Sequence, residues 1–221
     1  MCFSASASFV AAAVTGAAGL ACLARVRRPA EIPLAATPLI FAIQQAIEGL
    51  IWLRLGHDPA APTAGLALAF LVFAQVVWPI YAPLGVLLAE PEQRRRRLMT
   101  PLVAVGVALG MWLLAGLLAH EQRAVLMEHH VAYGWGGRPT LVVAGAYLSA
   151  VGIAPLMSSQ RAVIALGLVV LAGSAVAITF YFNAFQSVWC FFAALASAVL
   201  VAHFHRPLPR IAAEATPTAP A

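Results

Sequence analysis

Long apolar segments separated by short polar loops dominate this chain. Seven segments have the apolar length that a membrane-crossing helix needs, about twenty residues. The last two are divided at residues 183–186, because together they are long enough for two spans. The pattern predicts an all-α, polytopic membrane bundle of seven transmembrane helices. These cover Ser6–Leu23, Ile32–Leu53, Ala64–Leu88, Met99–Leu118, Thr140–Met157, Ala162–Phe182 and Ser187–Phe204.

Composition agrees with a lipid environment. The chain is 62% hydrophobic and 10% charged, whereas about a quarter of the residues in a soluble domain are charged. We therefore expect a multi-pass protein of the cell's inner (plasma) membrane, whose surrounding partner is the lipid bilayer. The formal net charge of +5 does not indicate nucleic acid, because the arginines lie in loops where membrane topology places them.

The distribution of arginine predicts the orientation of the chain. With the N-terminus outside, ten arginines fall on the inner side and three on the outer side. Basic residues accumulate on the cytoplasmic side of a membrane, so we expect the N-terminus outside and the C-terminus inside. Residues 1–205 then form the transmembrane domain, and residues 206–221, rich in Ala, Pro and Thr, form a disordered cytoplasmic tail.

One predicted outer loop, from His120 to Arg138, is long enough for structure of its own. Its first part, HEQRAVLMEHHVAYGW, predicts a short interfacial helix. Its second part, GWGGRP, contains three glycines and a proline, which are typical of a flexible segment.

Missing residue types exclude some chemistry. The chain has no lysine, and all thirteen basic residues are arginine. Retinal proteins bind their cofactor through a lysine Schiff base, so that class of seven-helix protein is excluded. Asp58 is the one aspartate in the sequence, so a paired-aspartate catalytic site is not available. Whether the protein is an enzyme stays open, and the balance favours a protein that is not.

Glu48 is the strongest functional signal in the sequence. A carboxylate within a span costs about 2.5 kcal/mol or more at the helix centre. Gln44 and Gln45 precede it by four and three residues, so the three side chains share one broad face. We interpret this face as a polar ligand-binding site in which Glu48 binds a proton or a cation. The alternative is a protonated Glu48 that hydrogen-bonds a neighbouring helix, since such contacts are common between spans.

The third span contains a second candidate for ligand binding, in the motif AQVVWPIYAP. Gln75, Trp78 and Tyr81 follow one another at offsets of three residues, so neighbours in the series share a face. Pro79 and Pro83 should kink the helix and free backbone carbonyls, which can line a cavity. A bent packing helix explains the same pattern equally well.

Polar residues concentrate on the predicted outer side. Sulfur, imidazole and carboxylate groups together suit copper or zinc. Cys2 and Cys190 could instead form a disulfide in an oxidising compartment, or remain small buried thiols. No CxxC or HxxxH spacing supports the metal interpretation. The metal candidates are Cys2, Glu48, His129, His130 and Cys190, and Asn183 is a further ligand-binding candidate.

Three segments carry a resemblance to known proteins. The opening MCFSASASF, the segment QQAIEGLIW with its QQxxEG pattern, and the late SVWCFF resemble a family of bacterial integral membrane proteins described as a domain of unknown function. These segments contain Cys2, Glu48 and Cys190. The resemblance covers most of the chain and implies a seven-span membrane protein, without implying any catalytic residue.

Three functions remain open from the sequence. We favour a membrane protein that binds a small molecule, a proton or a metal ion in the outer half of the bundle, as a sensor or carrier. The second is a membrane-embedded enzyme that depends on a metal or a thiol. The third is a structural subunit of a membrane complex. A homo-oligomer or a partner within a membrane complex is compatible with each.

Overall fold

The computed structural model describes residues 4–127, 130–134, 140–180 and 185–206. Within these residues the chain is mainly helical. A π-helical segment, Val72–Val77, joins α3 to α4, and a second one, Ser149–Ile153, joins α6 to α7. A single 3-10 turn, Pro29–Glu31, precedes α2. The helices are α1 (Ala5–Leu23), α2 (Ile32–His57), α3 (Ala64–Leu71), α4 (Trp78–Ala89), α5 (Gln93–Ala119), α6 (Leu141–Leu148), α7 (Ala154–Leu156), α8 (Arg161–Phe180) and α9 (Phe185–Phe204).

Four helical stretches of the described chain are long and apolar enough to cross a membrane. They are Ala5–Leu23, Pro29–His57, Ala64–Ala89 and Gln93–Ala119. Shorter apolar helices cover Leu141–Leu156, Arg161–Val176 and Ala194–Phe204. The prediction of a mainly helical protein with helices long and apolar enough to cross a membrane is therefore confirmed. The number of seven spans and the orientation stay predictions.

Successive helical stretches alternate in direction along the bundle. Three connections lie together at one end of the molecule: α1 to α2, α4 to α5, and α7 to α8. The residues that follow α9 lie at the same end. We call this the arginine end and define it as residues 24–31, 90–97, 157–161 and 205–206. Hydrogen bonds join its parts, among them Arg27 Nη2 to the Arg206 carbonyl at 2.8 Å, Arg95 Nη1 to the Met157 carbonyl at 3.0 Å, and Gln160 Nε2 to the Ala89 carbonyl at 2.9 Å.

Small residues let α1 and α2 pack closely side by side. A Cβ atom on Gly49 would lie 2.8 Å from the Phe9 ring, and one on Gly19 would lie 2.6 Å from Leu39 Cγ. Close approach at glycine is a common way for helices to pack in lipid. The contact between Phe9 and Gly49 places the start of α1 beside the second half of α2.

The first π-helical segment explains how the predicted distortion near Pro79 is stabilised. In π-helical register the backbone N–H of residue i+5 donates to the carbonyl of residue i. The donor for Ala74 would be Pro79, which has no N–H. The Tyr147 hydroxyl on α6 instead donates to the Ala74 carbonyl at 2.7 Å. A side chain from another helix thus takes the place of the missing backbone donor.

Tyr147→Phe is expected to lower the free energy of unfolding by about 1–3 kcal/mol, because it leaves the Ala74 carbonyl without its donor. Thermal unfolding in one detergent measures the change. Tyr81→Phe is the matched control. The Tyr81 hydroxyl donates to the Pro33 carbonyl at 2.5 Å, and that carbonyl keeps the Thr37 hydroxyl as a second donor at 3.4 Å. Equal losses in the two variants would contradict the special role of Tyr147.

The loop after α5 forms a β-hairpin, so the predicted interfacial helix is wrong. Strand β1 (Arg123–Met127) pairs antiparallel with β2 (His130–Gly134). Ala124 is buried while Val125 on the next position is exposed, which is the alternation of a strand with one buried face. The apolar residues 124–127 follow one another without a gap, so they do not select a helix by their spacing, and it is their burial that alternates along β1. The described part of the chain is therefore mainly helical and contains a β-hairpin, so it is not all-α.

The hairpin covers the end of the bundle opposite the arginine end, which we call the hairpin end (residues 58–63, 120–127 and 130–134). The Tyr133 ring stacks on Phe70 with centroids 4.3 Å apart and planes at 7°. The Thr63 hydroxyl accepts from the Ala124 backbone N–H at 3.1 Å and lies 3.3 Å from the Ala124 carbonyl, to which it donates. One buried apolar cluster joins the hairpin to α2 and α3: Ile51, Leu55, Ala67, Phe70, Ala124 and Val131.

Candidate functional site

The polar face predicted on α2 lies inside the bundle. Gln44, Gln45 and Glu48 are 3%, 1% and 0% exposed. Burying such groups is costly unless they are hydrogen-bonded, and both Gln45 and Glu48 have interaction partners. An apolar helix therefore carries three buried polar side chains within two turns.

The cluster lies in the half of the bundle nearer the hairpin end. Glu48 precedes the end of α2 at His57 by nine residues, which is about 13 Å along the helix axis. Ile51 and Leu55 lie between Glu48 and that end and pack beneath the hairpin. The hairpin and its apolar cluster thus separate Glu48 from the surface at this end.

Trp78 connects the polar face of α2 with α4. Its indole Nε1 donates to Gln44 Oε1 at 2.7 Å, and its ring stacks on Phe41 with centroids 3.9 Å apart. This bond uses the amide oxygen of Gln44 and directs the amide N–H₂ group elsewhere. The hydrogen bond between Trp78 and Gln44 therefore ties α4 to the polar face of α2.

Ser8 on α1 supplies a further buried polar group. Its side chain is 0% exposed, and its hydroxyl has no hydrogen-bond partner in the part of the chain that the structure describes. Its neighbour Phe9 contacts Gly49, so Ser8 lies at the same level of the bundle as Glu48. Buried polar groups without partners are rare, and this one lies near a buried carboxyl group. In the sequence Ser8 looks like one more small packing residue of the first span.

An apolar cavity lies on the other side of Trp78. Its volume is about 50 Å³, and it extends from Phe41 and Trp78 towards Val86 and Leu166. A single water molecule needs about 10–15 Å³ of cavity volume. The cavity therefore has room for only a few molecules of the size of water. The indole of Trp78 therefore bonds Gln44 with its polar edge and lines the apolar cavity with its ring.

The other residues predicted on the third span are spread along the bundle. Gln75 is half-buried in the π-helical segment. The Tyr81 hydroxyl donates to Pro33, at the other end of α2 from Glu48. Of the three, Trp78 is the one that bonds the polar face of α2. Gln75 and Tyr81 as ligand-binding residues stay predictions.

The described residues contain no group of three or more His, Cys, Asp or Glu side chains that could hold a metal ion. Cys2, His129 and Asn183 lie outside the described residues, and Cys190 lies on α9 without a described side chain. His130 begins β2, and its Nε2 atom is buried. The copper or zinc site and the disulfide between Cys2 and Cys190 therefore stay predictions.

The structure contains a second buried carboxylate that sequence analysis missed. Glu90 directly follows α4 and is 2% exposed. It accepts hydrogen bonds from Ser158 Oγ at 2.7 Å, Ser159 Oγ at 2.6 Å, Ser159 N at 2.8 Å and Glu92 N at 3.1 Å. Burial raises the pKa of Glu90, but these hydrogen bonds outweigh it and hold the pKa below its ordinary value. In the sequence Glu90 stands next to other charged residues, so nothing in the pattern distinguishes it from an ordinary exposed loop residue.

The helices and the buried face of α2 define a class: a mainly helical protein with helices apolar enough to cross a membrane and a polar cluster inside its bundle. The chain belongs to DUF6629, a family of unknown function whose sequence model matches residues 1–215. The resemblance to a family without an assigned function is thus confirmed. No curated protein and no solved structure matches the chain. Family membership therefore assigns no activity, and function must be argued from the site.

Proposed function

We propose that this is a seven-span protein of the plasma membrane that binds a small molecule, a proton or a metal ion at Glu48, as a sensor or carrier. In this arrangement the N-terminus is outside and the hairpin end faces outward. The alternation of helix direction supports an odd number of spans. The gathering of arginines at the opposite end supports this orientation, since basic residues favour the cytoplasmic side.

The burial of Glu48 is the observation that carries the proposal. A fully buried carboxyl group within a span is costly to retain, and apolar helix packing does not require one. The Ser8 hydroxyl, which has no hydrogen-bond partner among the described residues, lies at the level of Glu48. Intramembrane ionisable residues mark ion, proton or ligand sites by default.

The groups of this site favour a ligand that carries both a proton or a positive charge and a hydrogen-bond acceptor. A carboxylate binds a proton or a cation, and amide and hydroxyl donors bind an acceptor oxygen. Oxygen donors suit hard cations, whereas the predicted copper or zinc site also requires the sulfur and imidazole groups of Cys2, Cys190 and His129. Elemental analysis of purified protein tests that version, because stoichiometric copper or zinc would be detected directly.

Glu48→Gln tests the proposal with the proton as the probe. We expect the variant to accumulate and fold like the unchanged protein, since glutamine is isosteric with protonated glutamic acid. We also expect its acid-minus-neutral infrared difference spectrum to lack one carboxyl carbonyl band of the unchanged protein, while the band of the other buried carboxyl group, Glu90, remains. Cation binding is read from the shift in unfolding temperature on adding sodium, zinc or copper salts, which Glu48→Gln should abolish.

Glu121→Gln is the matched control, because Glu121 lies at the hairpin end with its side chain 64% exposed. It should keep both the infrared band and the cation response. A Glu48→Gln variant that loses folded protein would indicate a structural hydrogen bond between helices. A band and a cation response unchanged in Glu48→Gln would exclude Glu48 as the binding group.

The two other functions need separate tests. A structural subunit would lose stability when purified alone, so a stable monomer or homo-oligomer after mild detergent extraction would argue against it. An enzyme that depends on a metal or a thiol needs a metal or a reactive cysteine near Glu48. Neither alternative has a supporting contact among the described residues.

A further inference from the structure

The arginine end carries a strong excess of positive charge. Its three acidic residues are all engaged: Glu31 pairs with Arg28, Glu92 pairs with Arg95, and Glu90 is bound by Ser158 and Ser159. This leaves most of the basic side chains of this end without an acidic partner in the described part of the chain. The nine basic residues are Arg25, Arg27, Arg28, Arg94, Arg95, Arg96, Arg97, Arg161 and Arg206.

An open pocket of about 280 Å³ lies at this end, where α5 begins. Glu92, Arg94, Arg95, Leu98 and Met157 line it. Arg95 is already held in place, with Nε 2.6 Å from Glu92 Oε2 and Nη1 3.0 Å from the Met157 carbonyl. Arg94 takes part in no ion pair or hydrogen bond among the described residues. The pocket therefore has one guanidinium group that is free to bind an anion.

An exposed apolar stripe continues from this pocket along α5. Leu98 follows Arg94 by four residues, so it lies one turn further along the same helix face. Leu98, Val105 and Trp112 repeat every seven residues and are 55%, 39% and 59% exposed. The Arg94 guanidinium group at the start of the stripe suits the phosphate of a phospholipid headgroup, and the apolar side chains further along α5 suit its acyl chain.

We propose that this pocket binds the phosphate group of an anionic phospholipid, with Arg94 on the phosphate and an acyl chain along Leu98, Val105 and Trp112. A guanidinium group binds phosphate oxygens through charge-assisted, bidentate hydrogen bonds. The positive field of the arginine end favours an anionic headgroup over a zwitterionic one. The apolar stripe favours a lipid over free phosphate. This site is separate from Glu48 and does not depend on the function proposed there.

Native mass spectrometry of the full-length protein tests this site, with phosphatidylglycerol and phosphatidylcholine of equal acyl chains as probes. The unchanged protein should bind phosphatidylglycerol about tenfold more tightly, the size of one charge-assisted contact. Arg94→Gln should abolish this preference, and Arg94→Lys should keep part of it because the charge remains. Arg94 is exposed, so we expect each variant to show the circular dichroism of the unchanged protein.

Arg25→Gln is the matched control, because it removes one exposed charge from the same end without lining the pocket. It should leave the preference intact. An equal loss in Arg25→Gln and Arg94→Gln would overturn the proposal in favour of a diffuse charge effect. Displacement of the bound lipid by inorganic phosphate would overturn it in favour of a free-anion site. Equal binding of the two lipids by the unchanged protein would also overturn it.

Discussion

Gly106→Ala is expected to abolish accumulation of the folded protein. A Cβ atom on Gly106 would overlap the backbone carbonyl oxygen of Pro79 and would also meet Ala150 Cβ at 3.4 Å. In a regular helix the donor for the Pro79 carbonyl would be Pro83, which has no N–H, so α5 packs directly on an exposed backbone oxygen. Backbone atoms cannot move aside as a side chain can, and we expect a loss above about 3 kcal/mol.

The yield of monodisperse protein and its unfolding temperature measure this effect. Gly145→Ala is the matched control, because nothing lies within 4 Å of the added Cβ. Alanine favours helix over glycine by up to about 1 kcal/mol, so this variant should be neutral or slightly more stable. A Gly106→Ala variant that unfolds at the unchanged temperature would show that α5 does not need this close approach.

Glu90→Gln is expected to lower the free energy of unfolding by about 2 kcal/mol or more. The carboxylate accepts hydrogen bonds from both Ser158 and Ser159, and these join the segment after α4 to the segment before α8. A glutamine has one acceptor oxygen, and its amide N–H₂ group would face a backbone N–H donor, of Ser159 or of Glu92, with which it cannot pair. The change therefore weakens the arginine end without altering the size of the side chain.

Glu92→Gln provides the control for Glu90→Gln two residues away. Glu92 pairs with Arg95 at 2.6 Å, but the two side chains are 47% and 41% exposed. Exposed ion pairs contribute about 0–1 kcal/mol, so this variant should stay close to the unchanged protein. A larger loss in Glu92→Gln than in Glu90→Gln would contradict the role assigned to the buried carboxylate.

Acidification should reveal the same interaction. The pKa of Glu90 is lowered in the folded protein, so its contribution to stability is complete above the unfolded pKa of about 4.3. That contribution is lost as the pH falls through the lower, folded pKa. Unfolding temperatures measured between neutral and acidic pH should therefore decrease less in Glu90→Gln than in the unchanged protein. Parallel curves would contradict this assignment.

The apolar cores of the helices were predictable because hydrophobicity along a helix is a local property. The first span, predicted over Ser6–Leu23, forms α1 over Ala5–Leu23, and the third, predicted over Ala64–Leu88, forms Ala64–Ala89. Helix ends were less predictable. α5 begins at Gln93, before the arginine run, rather than at Met99. The apolar pattern shows which part of a helix is hydrophobic. The helix itself is defined by backbone hydrogen bonds, and these continue into the polar residues that flank the apolar part.

The hairpin was not predictable from the same pattern. Its strands have five residues each, too few for a clear period, and their apolar side chains are buried by contacts distant in sequence. Tyr133 stacks on Phe70, and Thr63 bonds the backbone of Ala124. A segment of this length becomes a strand because it covers an apolar surface formed by the ends of α2 and α3. The local sequence of the segment contains no information about that surface.

By itself, the sequence determined that the protein has helices apolar enough to cross a membrane, and that α2 carries a polar face around Glu48. Only the tertiary structure decided which groups meet that face: the indole of Trp78 on Gln44, and Ser8 at the level of Glu48. It also decided that Glu90 is held by serines 68 and 69 residues away. The physical reason is that hydropathy depends on each residue alone, whereas a hydrogen bond between helices depends on how the whole bundle packs.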